Sequence, residues 1–263
     1  MTLADELAWC SKILKMNAVR KILKAKIFDR PPVLIGGCGR SGTSILLSIL
    51  SAHPNIYGID VETDIFGYRR RFSSTFLNHV NNYRKLLPYL LESDKVLTAT
   101  RWCEKTPRNV RFLPEIAEEF RGKFRFVHII RDGRDVVCSR HPLSGAYHVS
   151  TERWVNDVKA GLKFLDHPNV FTLKYEDLVL NFKARVSDLL TFLDEEYCVE
   201  VEQFQEFANV KKHAAFEDGR LQGIKTGSIQ KWKRDEHRER MDQFYKSDEA
   251  VDLLRQLGYE VSW

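Results

Sequence analysis

The chain has 263 residues, with 41 Lys+Arg against 36 Asp+Glu and a formal charge of +5. A hydrophobic fraction of 43% and a charged fraction of 29% are ordinary for a soluble globular protein. They exclude a disordered chain, a collagen-like repeat and a small disulfide scaffold, and the modest positive balance fits an anionic ligand but is too small to argue for nucleic acid. Cys10, Cys38, Cys103, Cys138 and Cys198 are scattered without a C-x-x-C pair, which predicts neither a zinc site nor a disulfide framework. No window approaches the ~18 apolar residues of a membrane span. No signal-peptide core or N-x-S/T sequon is seen, so a cytoplasmic protein is expected.

In chain order, residues 3–28 set Leu3, Leu7, Ile13, Leu14, Ile22, Leu23 and Ile27 near a helical period, with lysines and Arg20 between them. This predicts a basic amphipathic helix within residues 1–30, packed on the domain; rest on an anionic membrane is the alternative. Pro31-Pro32 ends it. Val33-Leu34-Ile35 reads as a short buried strand that meets Gly36-Gly37. Ile45, Leu46, Ile49 and Leu50 then repeat at helical spacing up to His53-Pro54. Phe124–Ile130 and Phe171–Tyr175 are further strands, and helical patterns fill 151–165, 178–194 and 236–257, the last ending at Gly258. Strands alternating with helices predict an α/β fold with a parallel sheet and helices on both faces. With no repeat and no linker, residues 1–263 read as a single domain.

Two strand-to-helix turns carry the chemistry. Gly36–Ser44 (GGCGRSGTS) is rich in glycines that let successive backbone N–H groups point inward, and the helix start behind it adds positive charge. Gly37 and Gly42 have the spacing of the phosphate loop G-x-x-x-x-G-K-[ST], but Thr43 stands in place of the lysine that reaches a γ-phosphate. Arg40 puts a guanidinium inside the loop, suited to a bidentate grip on an anion. Thr43 also breaks the nucleophile-elbow pattern, and Ser44 breaks a C-x5-R phosphatase loop starting at Cys38. The second turn is Arg131-Asp132-Gly133-Arg134-Asp135, followed by Val136-Val137-Cys138-Ser139. Arg131 falls at the carboxyl end of a strand, where open α/β sheets place ligands. Asp135 is a candidate cap for the next helix. Asp132 as a magnesium ligand, or both acids simply pairing with the arginines, are the competing readings.

Together the turns resemble the sulfotransferases that use 3′-phosphoadenosine 5′-phosphosulfate (PAPS), in the arginine-loop branch of tyrosylprotein, Golgi carbohydrate and bacterial enzymes. The first turn looks like their 5′-phosphosulfate loop and the second like their 3′-phosphate signature. Ser51-Ala52-His53-Pro54, Lys105-Thr106-Pro107-Arg108-Asn109, Leu173–Leu178 (LKYEDL) and Gly227–Trp232 (GSIQKW) follow in the family's order, so the resemblance spans about residues 32–258. It implies a three-layer fold of the P-loop NTPase type, a central parallel sheet flanked by helices. It also implies sulfuryl transfer from PAPS to a hydroxyl or amine, leaving adenosine 3′,5′-bisphosphate, with no metal and no covalent enzyme intermediate.

The residue roles follow from the same resemblance. Gly37, Gly39, Arg40, Ser41, Gly42, Thr43 and Ser44 would hold the phosphosulfate, and Arg131 and Ser139 the 3′-phosphate. Lys231 would add a cation from the segment that closes over the nucleotide. Trp232 would stack on adenine or stay in the core, and Tyr175 would line the site. Glu62 corresponds to the general base, with Asp60 as a rival because one extra residue separates His53 from the acid; a helix-start carboxylate is the plainer role for Glu62. Lys105 corresponds to the lysine that approaches the bridging oxygen, where charge builds as the sulfuryl group leaves; pairing with Glu104 is its plainer role. Loops 141–150 and 211–235 are expected to be mobile covers.

The acceptor pocket is expected within residues 64–100, which hold Phe66, Tyr68, Phe72, Phe76, Tyr83 and the triplet Arg69-Arg70-Arg71. The acceptor class, whether glycan, small alcohol or phenol, or peptide, stays open, and the triplet is either an acidic-partner patch or a solvated run. Two rival functions remain at this point: a P-loop kinase or NTPase using Asp132 for magnesium, and a non-catalytic protein that binds the bisphosphate.

Overall fold

The computed structural model describes residues 28–67, 85–86, 88–90, 95–141, 144–211, 221, 223–224 and 226–261. The expected N-terminal helix, the arginine triplet and most of the acceptor segment lie outside the described residues. Five strands form one sheet: β1 (Val33–Gly37), β2 (Ile56–Gly58), β3 (Arg101–Lys105), β4 (Arg125–Ile130) and β5 (Val170–Lys174). Their order is β2-β3-β1-β4-β5 and every pairing is parallel, with Ile35 opposite Lys105 on one side and Val127 on the other.

Two of these strands escape hydrophobic patterning. β2 is only three residues long, and β3 reads Arg-Trp-Cys-Glu-Lys, with three charges in five residues. All three are nonetheless buried, because each has a partner waiting. Arg101 meets buried Glu195 at 3.0 Å, Glu104 accepts from Thr63, Thr106 and Asn109, and Lys105 meets Glu62. Buried charges are tolerated when paired in this way.

The central strands are apolar on both faces, as a sheet covered by helices requires. Val33, Ile35, Val127 and Ile129 pack on one side with Leu46 and Leu50 of helix α1 (Thr43–Ala52) and Leu189. Leu34, Phe126 and Trp102 pack on the other with Val110 and Ile116. The expected 178–194 helix is interrupted: Tyr175–Leu180 and Phe182–Phe192 meet at Asn181, whose backbone leaves the helical region. The 236–257 pattern likewise divides into Arg238–Phe244 and Asp248–Gln256, because Ser247 caps the second helix by accepting from the N–H of Ala250. Both helices join Ile130, Val136 and Trp154 in a third apolar cluster.

Candidate active site

The site is built at the carboxyl ends of four parallel strands. β1 runs into the glycine loop, β3 ends on Lys105, β4 is followed by Arg131, and β5 by Tyr175. The loop needs its glycines for specific reasons. A Cβ on Gly37 would lie 2.3 Å from the carbonyl oxygen of Ile129, and Gly42 caps α1 at a φ of +94°, with Tyr175 2.5 Å from where a Cβ would sit. Arg40 adopts a left-handed φ of +70°. Ser41, Thr43 and Ser44 are buried, and Ser41 Oγ has no hydrogen-bond partner among the described residues.

Lys105, with only 1% of its side chain exposed, donates to Glu62 Oε1 at 2.5 Å, whereas Glu62 is 45% exposed. One end of the pair is fixed in the core and the other faces solvent beside the loop. Burial holds the Lys105 ammonium below its usual range, opposed by Glu62, while nearby Arg40 pushes it lower still. Glu104 accepts from Thr63, Thr106 and Asn109, while Lys105 is bonded to Glu62. Glu62 lies in irregular chain rather than at a helix start, and Asp60 is exposed.

The second turn is held from three sides. Trp154 Nε1 donates to the Arg131 carbonyl at 3.1 Å, and Glu176 Oε1 accepts the Asp132 N–H at 3.0 Å. Asp132, not Asp135, caps the following helix, accepting from the Arg134 N–H at 2.9 Å and pairing with its guanidinium at 2.8 Å. Its carboxylate is thereby committed to the protein. Asp135 is fully buried and instead accepts from the backbone N–H groups of Gln230 (2.9 Å) and Trp232 (3.1 Å).

Arg131 lies over the Tyr175 ring, 4.3 Å from its centre, and donates to the carbonyls of Arg40 (3.1 Å) and Ser228 (2.5 Å). Tyr175 and Ser228 share a hydroxyl hydrogen bond of 2.8 Å, and Lys231 Nζ donates to Ser139 Oγ at 2.5 Å. Arg131, Ser139, Tyr175 and Lys231 are therefore gathered together, as the motifs imply. Burial and the neighbouring Arg131 hold the Lys231 ammonium down to about 8. Burial and Arg131 also lower the Arg40 guanidinium.

Trp232 is the exception. Its ring is 4% exposed, packs in the third cluster and carries Arg134 at 4.0 Å over its face, so this tryptophan is a core residue rather than an open adenine platform. Of the expected covers, residues 226–232 within 211–235 are docked on the second turn. Four further residues border the site without having been anticipated: Glu176, Ser228, His148 and Arg153. The first two lie inside recognised motifs. The side chains of His148 and Arg153 meet the loop at Gly39, Arg153 lying 3.4 Å from where its Cβ would be. No short-range pattern in the sequence connects position 39 to 148 or 153.

Comparison with known proteins agrees with this geometry. A profile described as the sulfotransferase family matches residues 31–198. A putative protein-tyrosine sulfotransferase of Caenorhabditis briggsae is 23% identical over 88% of this chain and 89% of its own length. The sulfotransferase domain of the Synechococcus PCC 7002 olefin synthase superposes with a TM-score of 0.59 at 13% identity, covering 89% of this chain and 97% of that one. A mouse sulfotransferase complexed with PAP gives 0.52 at 14% identity, over 90% and 94%. These likenesses are of fold. The profile spans most of the chain and takes in both strand-to-helix turns and the Lys105 strand: the chain belongs to the sulfotransferase family and is a PAPS-dependent sulfotransferase.

Proposed function

We propose that Glu62 and Lys105 carry out the proton and charge work of sulfuryl transfer, between a 5′-phosphosulfate grip made by residues 37–44 and a 3′-phosphate grip made by Arg131, Ser139 and Lys231. Bound PAPS supplies the activated sulfuryl group. The observation that carries the reading is the 2.5 Å Lys105–Glu62 pair at the mouth of the loop. A carboxylate there accepts the proton of an acceptor hydroxyl, and the ammonium beside it stabilises charge appearing on the leaving phosphate. Arg40 orients the anion from inside the loop.

Two further features favour such a ligand. Arg131 depresses the charging of Arg40, and both depress that of Lys231, a crowding that bound phosphate and sulfate would relieve. The unpartnered Ser41 hydroxyl offers a hydrogen bond at the base of the same loop. A kinase reading is disfavoured by Thr43 and by the engagement of Asp132 with Arg134.

The acceptor is a hydroxyl or amine, and the name of the Caenorhabditis briggsae relative makes a tyrosyl hydroxyl the first class to try. The deciding experiment incubates the protein with sulfur-labelled PAPS and a panel of tyrosyl peptides, small phenols and glycans. Label transfer that disappears in Glu62→Gln is the expected result. Tight bisphosphate binding with no transfer to any class would favour the non-catalytic reading.

A further inference from the structure

The segment 226–232 is fastened to the second turn by a small set of bonds, and two of them converge on one side chain. Asp135 is fully buried, two of its oxygen contacts are the N–H groups of Gln230 and Trp232, and Arg131 lies 3.8 Å away. A carboxylate beside a phosphate grip is at first sight the wrong charge. Like charges in a buried site repel, and an acid here lowers the field that attracts an anion. The side chain therefore has to contribute something that outweighs this repulsion. Its two bonds do so, because they fix the backbone on both sides of Lys231. That lysine then reaches Ser139 at 2.5 Å, the residue that with Arg131 forms the grip.

We propose that Asp135 is a positioning residue for the donor: it anchors segment 226–232 so that Lys231 is delivered to the 3′-phosphate, and its effect on binding runs through Lys231. The inference rests on the 3′-phosphate reading of this turn. The anchor is local, since Ser139 Oγ also donates to the Asp135 carbonyl at 3.0 Å, making the helix turn that bears Asp135 the common base for both partners of the Lys231–Ser139 bond. Tyr175 and Ser228 hold the other end of the segment.

The test measures affinity for adenosine 3′,5′-bisphosphate and for AMP, which lacks the 3′-phosphate, in the wild type, Asp135→Asn, Lys231→Ala and the double variant Asp135→Asn/Lys231→Ala. A wild type without preference for the bisphosphate would overturn the 3′-phosphate reading itself. Given that preference, Asp135→Asn is expected to weaken bisphosphate binding roughly tenfold, the scale of a lost charge-assisted hydrogen bond, and to leave AMP binding unchanged. The double variant should bind no more weakly than the weaker single variant, because the two act in one chain of contacts. Tighter bisphosphate binding by Asp135→Asn would mean that repulsion dominates, and additive losses in the double variant would mean that Asp135 does not act through Lys231. Equal losses for AMP and the bisphosphate would reduce its role to general structure. Each of these three results overturns the inference.

Discussion

Glu62 and Lys105, 2.5 Å apart, are the pair on which the proposed transfer rests, and the carboxylate opposes the loss of charge that burial imposes on the ammonium. Lys105 has the greater need of the partner, since it is buried and Glu62 is not. Replacing Glu62 with Gln removes the proposed proton acceptor and takes a compensating charge from beside a buried ammonium. The expected outcome is a kcat lower by about 10² to 10⁴, with bisphosphate affinity nearly unchanged, measured by steady-state kinetics and calorimetric titration. A second expectation concerns Lys231, assigned above to the 3′-phosphate grip, whose ammonium burial and the neighbouring Arg131 hold down to about 8. Bisphosphate affinity should fall as pH rises through that value, and Lys231→Ala should bind more weakly with a flat profile over the same range. A wild-type profile that stays level to pH 9 or beyond would remove Lys231 from the grip. At this scale the sequence was informative where motifs are contiguous. Spacing could not separate Glu62 from Asp60, since the stretch around them is irregular and only a contact with Lys105 distinguishes them.

The strands and helices matter here for where they stop. β1, β3, β4 and β5 end at the same edge of the sheet, so positions 40, 105, 131 and 175 are brought to one end of it although they are far apart in the chain. The strands at 33–37, 125–130 and 170–174 are legible because apolar runs lead into polar turns. β3 is not, since its burial depends not only on nearby Thr106 and Asn109 but on partners at positions 62, 63 and 195, which no local window contains. The junction between the glycine loop and α1 is where element geometry is tightest. Ala at position 42 would need a left-handed φ, costing roughly 1–2 kcal/mol, and its methyl would meet the Tyr175 ring on which Arg131 lies. Gly42→Ala should therefore lower the melting temperature and weaken nucleotide binding together. Gly122→Ala provides the comparison: it has a similar positive φ with nothing within 4 Å, so it should show only the backbone cost. Equal effects of the two on nucleotide affinity would refute the packing argument.

Across the whole molecule, the sheet that delivers the site also carries a titratable group that the chemistry does not use. His128 lies in the middle of β4, fully buried, with neither ring nitrogen hydrogen-bonded among the described residues. Helix Thr151–Leu162 crosses it at Gly161, where even a methyl group would fall within 2.2 Å of the ring. Burial pushes this imidazole down to about 4 from an ordinary 6.5. Between those values the unfolded chain binds a proton that the folded one refuses, so stability is greatest above 6.5 and declines as pH falls toward 4, by about 3 kcal/mol in all. Glu104, Asp135 and Glu176, whose carboxyls burial raises, act with the opposite sign and favour the folded state as pH falls. Only a difference between variants isolates the histidine. His128→Leu removes two unsatisfied nitrogens at similar volume, and should match or exceed the wild type at neutral pH. Chemical denaturation of both proteins at intervals from pH 7 to 4.5 measures the effect. The stability gap should widen steadily in favour of the leucine variant as pH falls. A constant gap would mean that the ring is protonated in the folded protein as readily as in the unfolded chain, and that β4 and the helix above it leave room for water to reach it.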